Sequence, residues 1–331
     1  MIERFENFDL EKELAVRNRK ARGFVPVALK ADGSEVMIPV VMVIGKEDGP
    51  LVVSEGCAHG DEVEGAEGIV AAYEALDPEK MKGSFVGVPV LNTEAFVRSN
   101  RAGERDMVGQ DMNRIFPGDP AGTLSHRVAR FYFDNFVRKA DGLISMHGGG
   151  RNLALMPVSL YQNYGDGISA RSKEMAYAMG FDSVWQNNYC NGPDGILDEN
   201  AYLAGVPAIT AEIGGQVSRL KYRESDPGRI AKGIINVLRV FGIIDEPVEK
   251  HDIAIDIEMS YITNKTGGLH HPIKKVGETV KEGEVVSTIT DIFGNELEQI
   301  RSPFDGYVMG VWVTPVVDPF GWVYMLGKPV K

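Results

Sequence analysis

The stretch from residue 51 to residue 76 dictates much of the architecture expected of this chain. A short apolar run, Leu51-Val52-Val53, precedes His59 and Glu62, and small and apolar residues at helical spacing follow from residue 64 onward. The pattern predicts a strand that delivers His59 and Glu62 to its end, with a helix starting directly after them. Imidazole nitrogen and carboxylate oxygen are both zinc ligands, and catalytic zinc needs only three protein ligands. Because such a pair also arises by chance, it predicts a metal site only if the rest of the chain agrees.

The composition is that of an ordinary globular protein with a large core. The 331 residues include 35 Lys and Arg against 47 Asp and Glu, a formal net charge of −12. This balance argues against nucleic acid or an anionic membrane as a partner, since both attract clustered basic side chains. No apolar run approaches the roughly 20 residues of a membrane span. Two cysteines, Cys57 and Cys190, are too few for a disulfide framework, so a cytoplasmic location is expected. Cys57 is interpreted as a small buried neighbour of the metal pair rather than a ligand.

Two further apolar strands are predicted to end in residues with functional side chains. Residues 142–147 end at His147 before three glycines, and residues 207–212 end at Glu212, shortly before two more. Ligands of α/β sheets lie beyond the carboxyl ends of the strands, so these segments should meet His59 and Glu62 at one edge. His147 is the natural third metal ligand. Glu212 could take a proton from zinc-activated water and pass it to a leaving nitrogen.

The segment from residue 98 to residue 122 is long, charged and rich in glycine. Segments of this kind inside a compact domain are usually functional. It contains Asn113 beside Arg114, and an amide next to a guanidinium can hold a carboxylate through charge-assisted hydrogen bonds. The pair is therefore predicted to bind an anionic end of a substrate. His270 and His271, much further along, are interpreted as surface residues.

Strands and helices alternate through most of the chain. A hairpin with Asp32-Gly33 at its turn is followed by strand-helix-strand order, which predicts an α/β fold with a mixed central sheet and flanking helices. Residues 153–158 are predicted as one strand of this sheet. Near the end, short β-rich runs alternate with glycine-containing turns, which predicts an all-β, barrel-like module. The expected domains are residues 1–250, with the site, and residues 251–331.

Four segments, in this order and spacing, resemble the succinylglutamate desuccinylase and aspartoacylase family of the zinc carboxypeptidase superfamily. The resemblance covers about residues 38–244. It implies one Zn²⁺ per chain, held by His59, Glu62 and His147, with Glu212 as the base and Asn113 with Arg114 as the clamp for a substrate carboxylate. The segments are Gly-Cys-Ala-His59-Gly-Asp-Glu62, Asp-Met-Asn113-Arg114-Ile-Phe-Pro-Gly, Met-His147-Gly-Gly-Gly and Pro-Ala-Ile-Thr-Ala-Glu212-Ile-Gly-Gly.

The resemblance also implies an arginine, upstream of the Asn-Arg pair, that stabilises the tetrahedral oxyanion. Arg101 and Arg105 are both candidates, with a slight preference for Arg105. Ser145 stands where many relatives have aspartate. Aspartoacylases proper carry an arginine shortly before the catalytic Glu, whereas this chain has no Lys or Arg from residue 174 through residue 212. The chain therefore resembles the N-acetyl-diaminobutyrate deacetylase-like subgroup, and a substrate with a neutral or basic side chain is expected.

Residues 251–331 are similar to the β-barrel appended to this subgroup and to the biotinyl-lipoyl fold. Carrier domains of that fold have a lysine at a hairpin tip, and the corresponding turn at residues 292–295 has none. The module is expected to shape the site entrance or an oligomer contact, and the chain could form a homo-oligomer.

The predicted function is that of a zinc-dependent amidohydrolase, which removes an N-acyl group from a small amino acid or amine by attack of a metal-activated water. Two alternatives use the same scaffold. One is a zinc carboxypeptidase acting on short peptides, and the other is a non-catalytic binding protein.

Overall fold

The computed structural model describes residues 2–103, 110–188, 195–215, 225–251 and 255–330. The α-helices within these ranges are α1 (Leu10–Ala15), α2 (Glu64–Ala75), α3 (Thr93–Phe96), α4 (Leu124–Asn135), α5 (Gly167–Ala178), α6 (Leu197–Leu203) and α7 (Asp226–Val240). Short 3₁₀ helices lie at Pro78–Lys80, Met112–Arg114 and Val137–Lys139. Among these helices, none is both long and apolar enough to cross a membrane.

The strands of the first half of the chain are β1 (Glu3–Arg4), β2 (Arg19–Leu29), β3 (Glu35–Ile44), β4 (Glu47–Glu55), β5 (Lys82–Val88), β6 (Gly142–His147), β7 (Leu153–Leu155) and β8 (Val158–Gln162). Those of the second half are β9 (Ser183–Asn187), β10 (Ala208–Glu212), β11 (Ile255–Thr263), β12 (Gly268–Pro272), β13 (Thr279–Val280), β14 (Val285–Thr290), β15 (Glu296–Arg301), β16 (Gly306–Trp312), β17 (Val316–Val317) and β18 (Trp322–Pro329).

Fourteen of these strands form one mixed sheet in the order β1-β2-β3-β5-β4-β6-β10-β8-β9-β11-β18-β16-β13, with β7 paired to β16. Its centre is parallel, since β5, β4, β6 and β10 all run in one direction. The remaining strands make a second sheet in the order β15-β14-β12-β17. The predicted α/β fold with a mixed central sheet and a further β-rich C-terminal region is thus confirmed.

Helices cover both faces of the central sheet. Side chains of β4 alternate between them, so that Val53 packs with α4 and α6 whereas its neighbour Val52 packs with α2, α5 and α7. The apolar stripe of α7 includes Ile230, Ile234 and Val237, all fully buried. Burial of one such side chain stabilises the fold by roughly 1.5–3 kcal/mol. Both layers therefore fix the central strands, whose carboxyl ends carry the candidate site.

The C-terminal strands extend the sheet beyond the predicted domain boundary. β11 runs parallel to β9, and β16 pairs with β7. A separate apolar core that includes Val286, Tyr324 and Leu326 lies between the two C-terminal groups of strands. The boundary at residues 250 and 251 stays a prediction.

Two details of the sequence interpretation were wrong. Residues 153–158 form two strands rather than one, because β7 pairs with β16 while β8 pairs with β10 and β9. Pro157, which has no backbone N–H to donate, separates them. His270 is not a surface residue: its ring is 3% exposed and packs edge-on against Tyr324, with ring centroids 6.1 Å apart. His271 is exposed, as predicted.

Candidate metal centre and active site

Three parallel strand ends bring the candidate site residues together. His59 and Glu62 lie in the turn between β4 and α2, while His147 is the last residue of β6 and Glu212 the last residue of β10. The β6–β10 register pairs Glu212 directly with His147. The side chains predicted to act together therefore lie at one edge of the sheet, as expected for parallel strands.

His59, Glu62 and His147 form a buried group whose ligand atoms all lie within 4.8 Å of one another. Both histidines turn Nδ1 inward. The two Nδ1 atoms are 3.2 Å apart, and the Glu62 carboxylate lies 2.9 Å from His59 Nδ1 and 2.8 Å from His147 Nδ1. Two nitrogen ligands of one tetrahedral zinc ion would lie about 3.3 Å apart, since each Zn–N bond is about 2.05 Å long. The donor set and its spacing thus fit a zinc ion.

The outward nitrogens of both histidines are held by other side chains. His59 Nε2 lies 2.7 Å from an Asp111 carboxylate oxygen, and His147 Nε2 lies 3.3 Å from the Asn113 amide nitrogen. Metal-ligating histidines commonly donate their second N–H to a carboxylate, as the geometry of His59 and Asp111 allows, and this fixes the orientation of the ring. The Asn113 amide nitrogen is itself a donor, so it contacts His147 without serving as such an acceptor. The interaction of Asp111 with His59 was missed from the sequence, since neither the spacing of 52 residues nor the residue type signals the contact.

Charge within the group is strongly coupled. Burial alone would raise the pKa of Glu62, but the charge on His59 and hydrogen bonds from both histidines hold it well below its usual range. Burial alone would lower the pKa of His147, but its hydrogen bond to Glu62 and the neighbouring carboxylates raise it to about 9. The site therefore favours a charged Glu62 carboxylate, and a cation bound there would displace the protons of the two imidazole rings.

Glu212 has a different electrostatic environment from Glu62. Burial raises the pKa of Glu212 to about 7, and the charge on His147 acts in the opposite direction. A carboxyl group that titrates near neutral pH can both accept and donate a proton under working conditions. This environment is compatible with the predicted role of Glu212, which stays a prediction.

The polar residues predicted to bind substrate lie beside this group. Arg101 reaches Glu62 at 3.2 Å and Asp111 at 3.0 Å, with half of its side chain exposed. Arg114 is exposed and donates to the Asn113 carbonyl oxygen at 2.6 Å. The Asn113 amide is buried between His147 and the Leu197 backbone N–H, which donates to it at 2.9 Å. Arg105, the other candidate for the oxyanion, lies outside the described residues.

Two buried carboxyl groups near the site were not predicted. Glu55, at the end of β4, accepts a hydrogen bond from Ser145 at 2.6 Å, and burial raises its pKa. Ser145 therefore has a carboxyl partner across the β4–β6 ladder. Glu64 accepts from the Gly215 N–H at 3.1 Å and so holds the loop that follows Glu212. Acidic residues are common in the first turn of a helix because they interact favourably with the helix dipole. The position of Glu64 in the sequence therefore gives no sign of its contact with Gly215.

Two residues of the turn that carries His59, Cys57 and Gly60, are closely packed. Cys57 is fully buried with φ +53°, and its thiol lies 3.3 Å from the Glu62 carbonyl oxygen, so it packs beside the metal group as predicted. A Cβ on Gly60 would lie 2.1 Å from the backbone carbon of Ala95 in α3. Close approach of α3, rather than an unusual backbone conformation, thus requires glycine at this position. Cys190 lies outside the described residues.

Comparison with known proteins gives one family. A sequence model described as the succinylglutamate desuccinylase/aspartoacylase catalytic domain matches residues 48–241, more than half of the chain. The N-alpha-acetyl-L-2,4-diaminobutyric acid deacetylase of Halomonas elongata is 27% identical over 282 residues, which cover 82% of this chain and 80% of that protein.

Solved structures give the same fold. The product-bound ectoine utilization protein of Ruegeria pomeroyi superposes with a TM-score of 0.84 at 23% identity, covering 94% of this chain and 96% of that one. A succinylglutamate desuccinylase/aspartoacylase from Rhodobacter sphaeroides superposes with a TM-score of 0.83 at 26% identity, covering 95% and 97%. The family match covers residues 48–241, and the similarity of fold extends over nearly the whole chain.

Proposed function

Because the chain belongs to the succinylglutamate desuccinylase/aspartoacylase family, we propose that it is a zinc-dependent amidohydrolase acting on a small N-acylated amino acid. One observation carries the proposal: the buried group of His59, Glu62 and His147 lies at the same strand ends as Glu212, which pairs directly with His147. The name of the Halomonas relative supports deacetylation of an amino acid as the reaction type. The cytoplasmic location and the homo-oligomer stay predictions.

In the proposed site, His59, Glu62 and His147 hold the zinc ion. When bound, zinc supplies Lewis acidity, which polarises a carbonyl group and makes water a stronger acid. Asp111 accepts from His59 Nε2 and so keeps that imidazole ring turned with Nδ1 toward Glu62. The protein's part at this centre is thus to hold three donors in one geometry.

Glu212 moves the proton. Its carboxylate accepts a proton from the attacking water as the new C–O bond forms at the acyl carbon. It then delivers that proton to the amide nitrogen as the C–N bond breaks, which releases a carboxylic acid and a free amine. The pKa of about 7 lets one group perform both steps.

Two arginines complete the proposed site. The Arg101 guanidinium, which already faces Glu62, stabilises negative charge on the acyl oxygen, an effect typically worth several kcal/mol. Arg105 stays an alternative for this role. Arg114 is exposed beside Asn113 and is proposed to bind the substrate's carboxylate.

The test combines metal analysis with a substrate panel. Purified protein should contain about one zinc per chain and should hydrolyse N-acetyl amino acids, whereas a carboxypeptidase would need peptides with a free terminal carboxylate next to the scissile bond. A Glu212→Gln variant should keep its zinc and lose about 10²–10⁴-fold in kcat. Glu174→Gln, on the surface of α5, serves as the matched control. Absence of zinc, or an undiminished rate in Glu212→Gln, would reject the proposal.

A further inference from the structure

Three aromatic side chains of the C-terminal strands form a connected cluster, the aromatic wall. Tyr261 of β11 meets Trp322 of β18 edge-on, with ring centroids 5.3 Å apart, and Trp322 meets Trp312 of β16 at 5.4 Å. Neither tryptophan is fully buried, and 51% of the Tyr261 surface is exposed. Large aromatic faces held rigidly and left open to solvent are suited to binding a ligand.

The alternation of β11 directs Tyr261 toward the catalytic strands. Side chains two residues apart in a strand share a face, so Tyr261 lies on the same side as Met259. Met259 and Val158 belong to one apolar cluster, and Trp322 packs against that cluster. Val158 is the antiparallel partner of Glu212. The aromatic wall thus continues, toward solvent, the sheet face that contains Met259 and Val158 and that reaches the end of β10.

Backbone hydrogen bonds tie the wall to the loops of the site. Trp312 pairs with Leu153 of β7. The Leu153 N–H donates to Gly149, in the loop after His147, at 3.0 Å, and the Leu155 N–H donates to Gly214, in the loop after Glu212, at 3.2 Å. β7 therefore connects both catalytic loops with the strand that carries Trp312.

Electrostatics agree with this placement. The pKa of Tyr261 is raised: the protein around its hydroxyl is the first cause although the ring is half exposed, the charge on Glu212 acts in the same direction, and Arg114 and Arg101 act in the opposite direction. The hydroxyl thus lies within electrostatic range of three residues of the proposed site. Arg101 already faces the carboxylates of Glu62 and Asp111, which offset its charge.

We propose that the aromatic wall binds the side chain of the substrate and selects one that carries an ammonium group, as in 2,4-diaminobutyrate acetylated at its α nitrogen. The inference rests on the proposed function and adds its specificity residues. Tryptophan and tyrosine rings attract cations through their negative faces, and this attraction is strengthened where the ligand is desolvated. Arg114 binds the carboxylate of the substrate, and the aromatic wall binds the positively charged group of its side chain.

The test uses two substrates that differ mainly in charge. Nα-acetyl-L-2,4-diaminobutyrate ends in an ammonium group where N-acetyl-L-norvaline has a methyl group. The wild-type protein should prefer the former in kcat/KM. Tyr261→Ala and Trp322→Leu should each reduce that preference by about 2- to 30-fold, the range of a cation–aromatic contact. Tyr261→Phe, which keeps the ring, should retain most of it.

Phe293→Ala is the control, since this residue is 84% exposed on a hairpin turn of the same C-terminal region. Its preference should equal that of the wild type. Binding of free 2,4-diaminobutyrate, measured by calorimetry, should weaken in Tyr261→Ala by a similar factor. An unchanged preference and unchanged binding in that variant, or equal use of both substrates by the wild type, would overturn the inference while leaving the proposed function intact. Failure of the wild type to hydrolyse any N-acyl amino acid would instead reject the proposed function.

Discussion

At the residue scale, the orientation of the two histidine rings depends on residues outside the ligand set. Each ring directs Nδ1 to Glu62 and presents Nε2 to a second side chain, Asp111 for His59 and Asn113 for His147. A carboxylate such as Asp111, which can accept from Nε2–H, limits ring rotation and raises the basicity of the coordinating nitrogen. Metal affinity should therefore depend on Asp111 although it lies outside the group that could hold the ion.

Asp111→Asn should weaken zinc binding by about 10- to 100-fold, because the amide cannot supply the charge that the His59 ring faces. Competition with a zinc chelator of known affinity measures the effect. Asp119→Asn is the control in the same segment, where the carboxylate accepts from the Ala121 N–H. Equal zinc affinity in the Asp111 variant and the wild type would show that ring orientation is set elsewhere.

Gly60→Ala should destabilise the protein by at least about 2 kcal/mol, because the added methyl group would overlap the backbone of Ala95 and Phe96. Chemical denaturation of the zinc-loaded protein measures the change. Gly228→Ala in α7 is the control, since nothing lies within 4 Å of its Cβ position, and it should be neutral or stabilising by about 0.5–1 kcal/mol. A stable Gly60→Ala protein would mean that α3 moves away at little cost.

The sequence was sufficient to predict the residue types of the site but not their outer partners. His59, Glu62, His147 and Glu212 each follow an apolar strand, and that local pattern can be recognised without coordinates. Asp111, Glu55 and Glu64 are acidic residues with no local pattern that distinguishes them. Their roles depend on contacts between segments far apart in sequence, such as the hydrogen bond from Ser145 to Glu55.

At the element scale, strand β12 shows that packing decides which of two adjacent histidines is buried. His270 and His271 are adjacent and look alike in the sequence, but one ring is buried against Tyr324 and the other is exposed beside Thr290. Burial lowers the pKa of His270 to about 4. The alternation of the strand decides which of the two points inward, and no turn or charge pattern nearby indicates it.

His270 should make the protein acid-sensitive. Between pH 6.5 and pH 4 the unfolded chain binds a proton at this residue and the folded chain does not, so lowering the pH through this window favours unfolding. Between pH 7 and pH 5 the wild type should lose about 1–2 kcal/mol more of its unfolding free energy than His270→Phe. Urea denaturation at both pH values measures this. His271→Phe should behave as the wild type, and an equal loss in all three proteins would contradict the assignment.

At the scale of the whole molecule, one continuous sheet contains strands from both sides of the predicted domain boundary. β9 pairs with β11, β7 pairs with β16, and one apolar cluster contains Val158 together with Ile257 and Met325. The alternation of strands and helices was enough to predict the α/β fold and the C-terminal β-rich region. Pairing between the two could not be predicted, because β7 is only three residues long and its partner lies more than 150 residues away.

Thermal unfolding of the zinc-loaded protein should therefore occur as a single cooperative transition. Shared strands and a shared core mean that neither part can lose its structure without exposing apolar surface of the other. Differential scanning calorimetry provides the measurement, with the ratio of calorimetric to van't Hoff enthalpy expected to be close to about 1. Two resolved transitions would show that the C-terminal region unfolds by itself.

The pairing of His147 with Glu212 in adjacent parallel strands has a consequence for how the chain can change over evolutionary time. Loops beyond both strands can gain or lose residues without altering the separation of metal ligand and base, since the ladder fixes it. One residue inserted within β6 or β10 would instead turn the terminal side chain to the opposite face of the sheet. Descendants of this sequence should therefore tolerate almost no insertion or deletion within the two strands that end at residues 147 and 212.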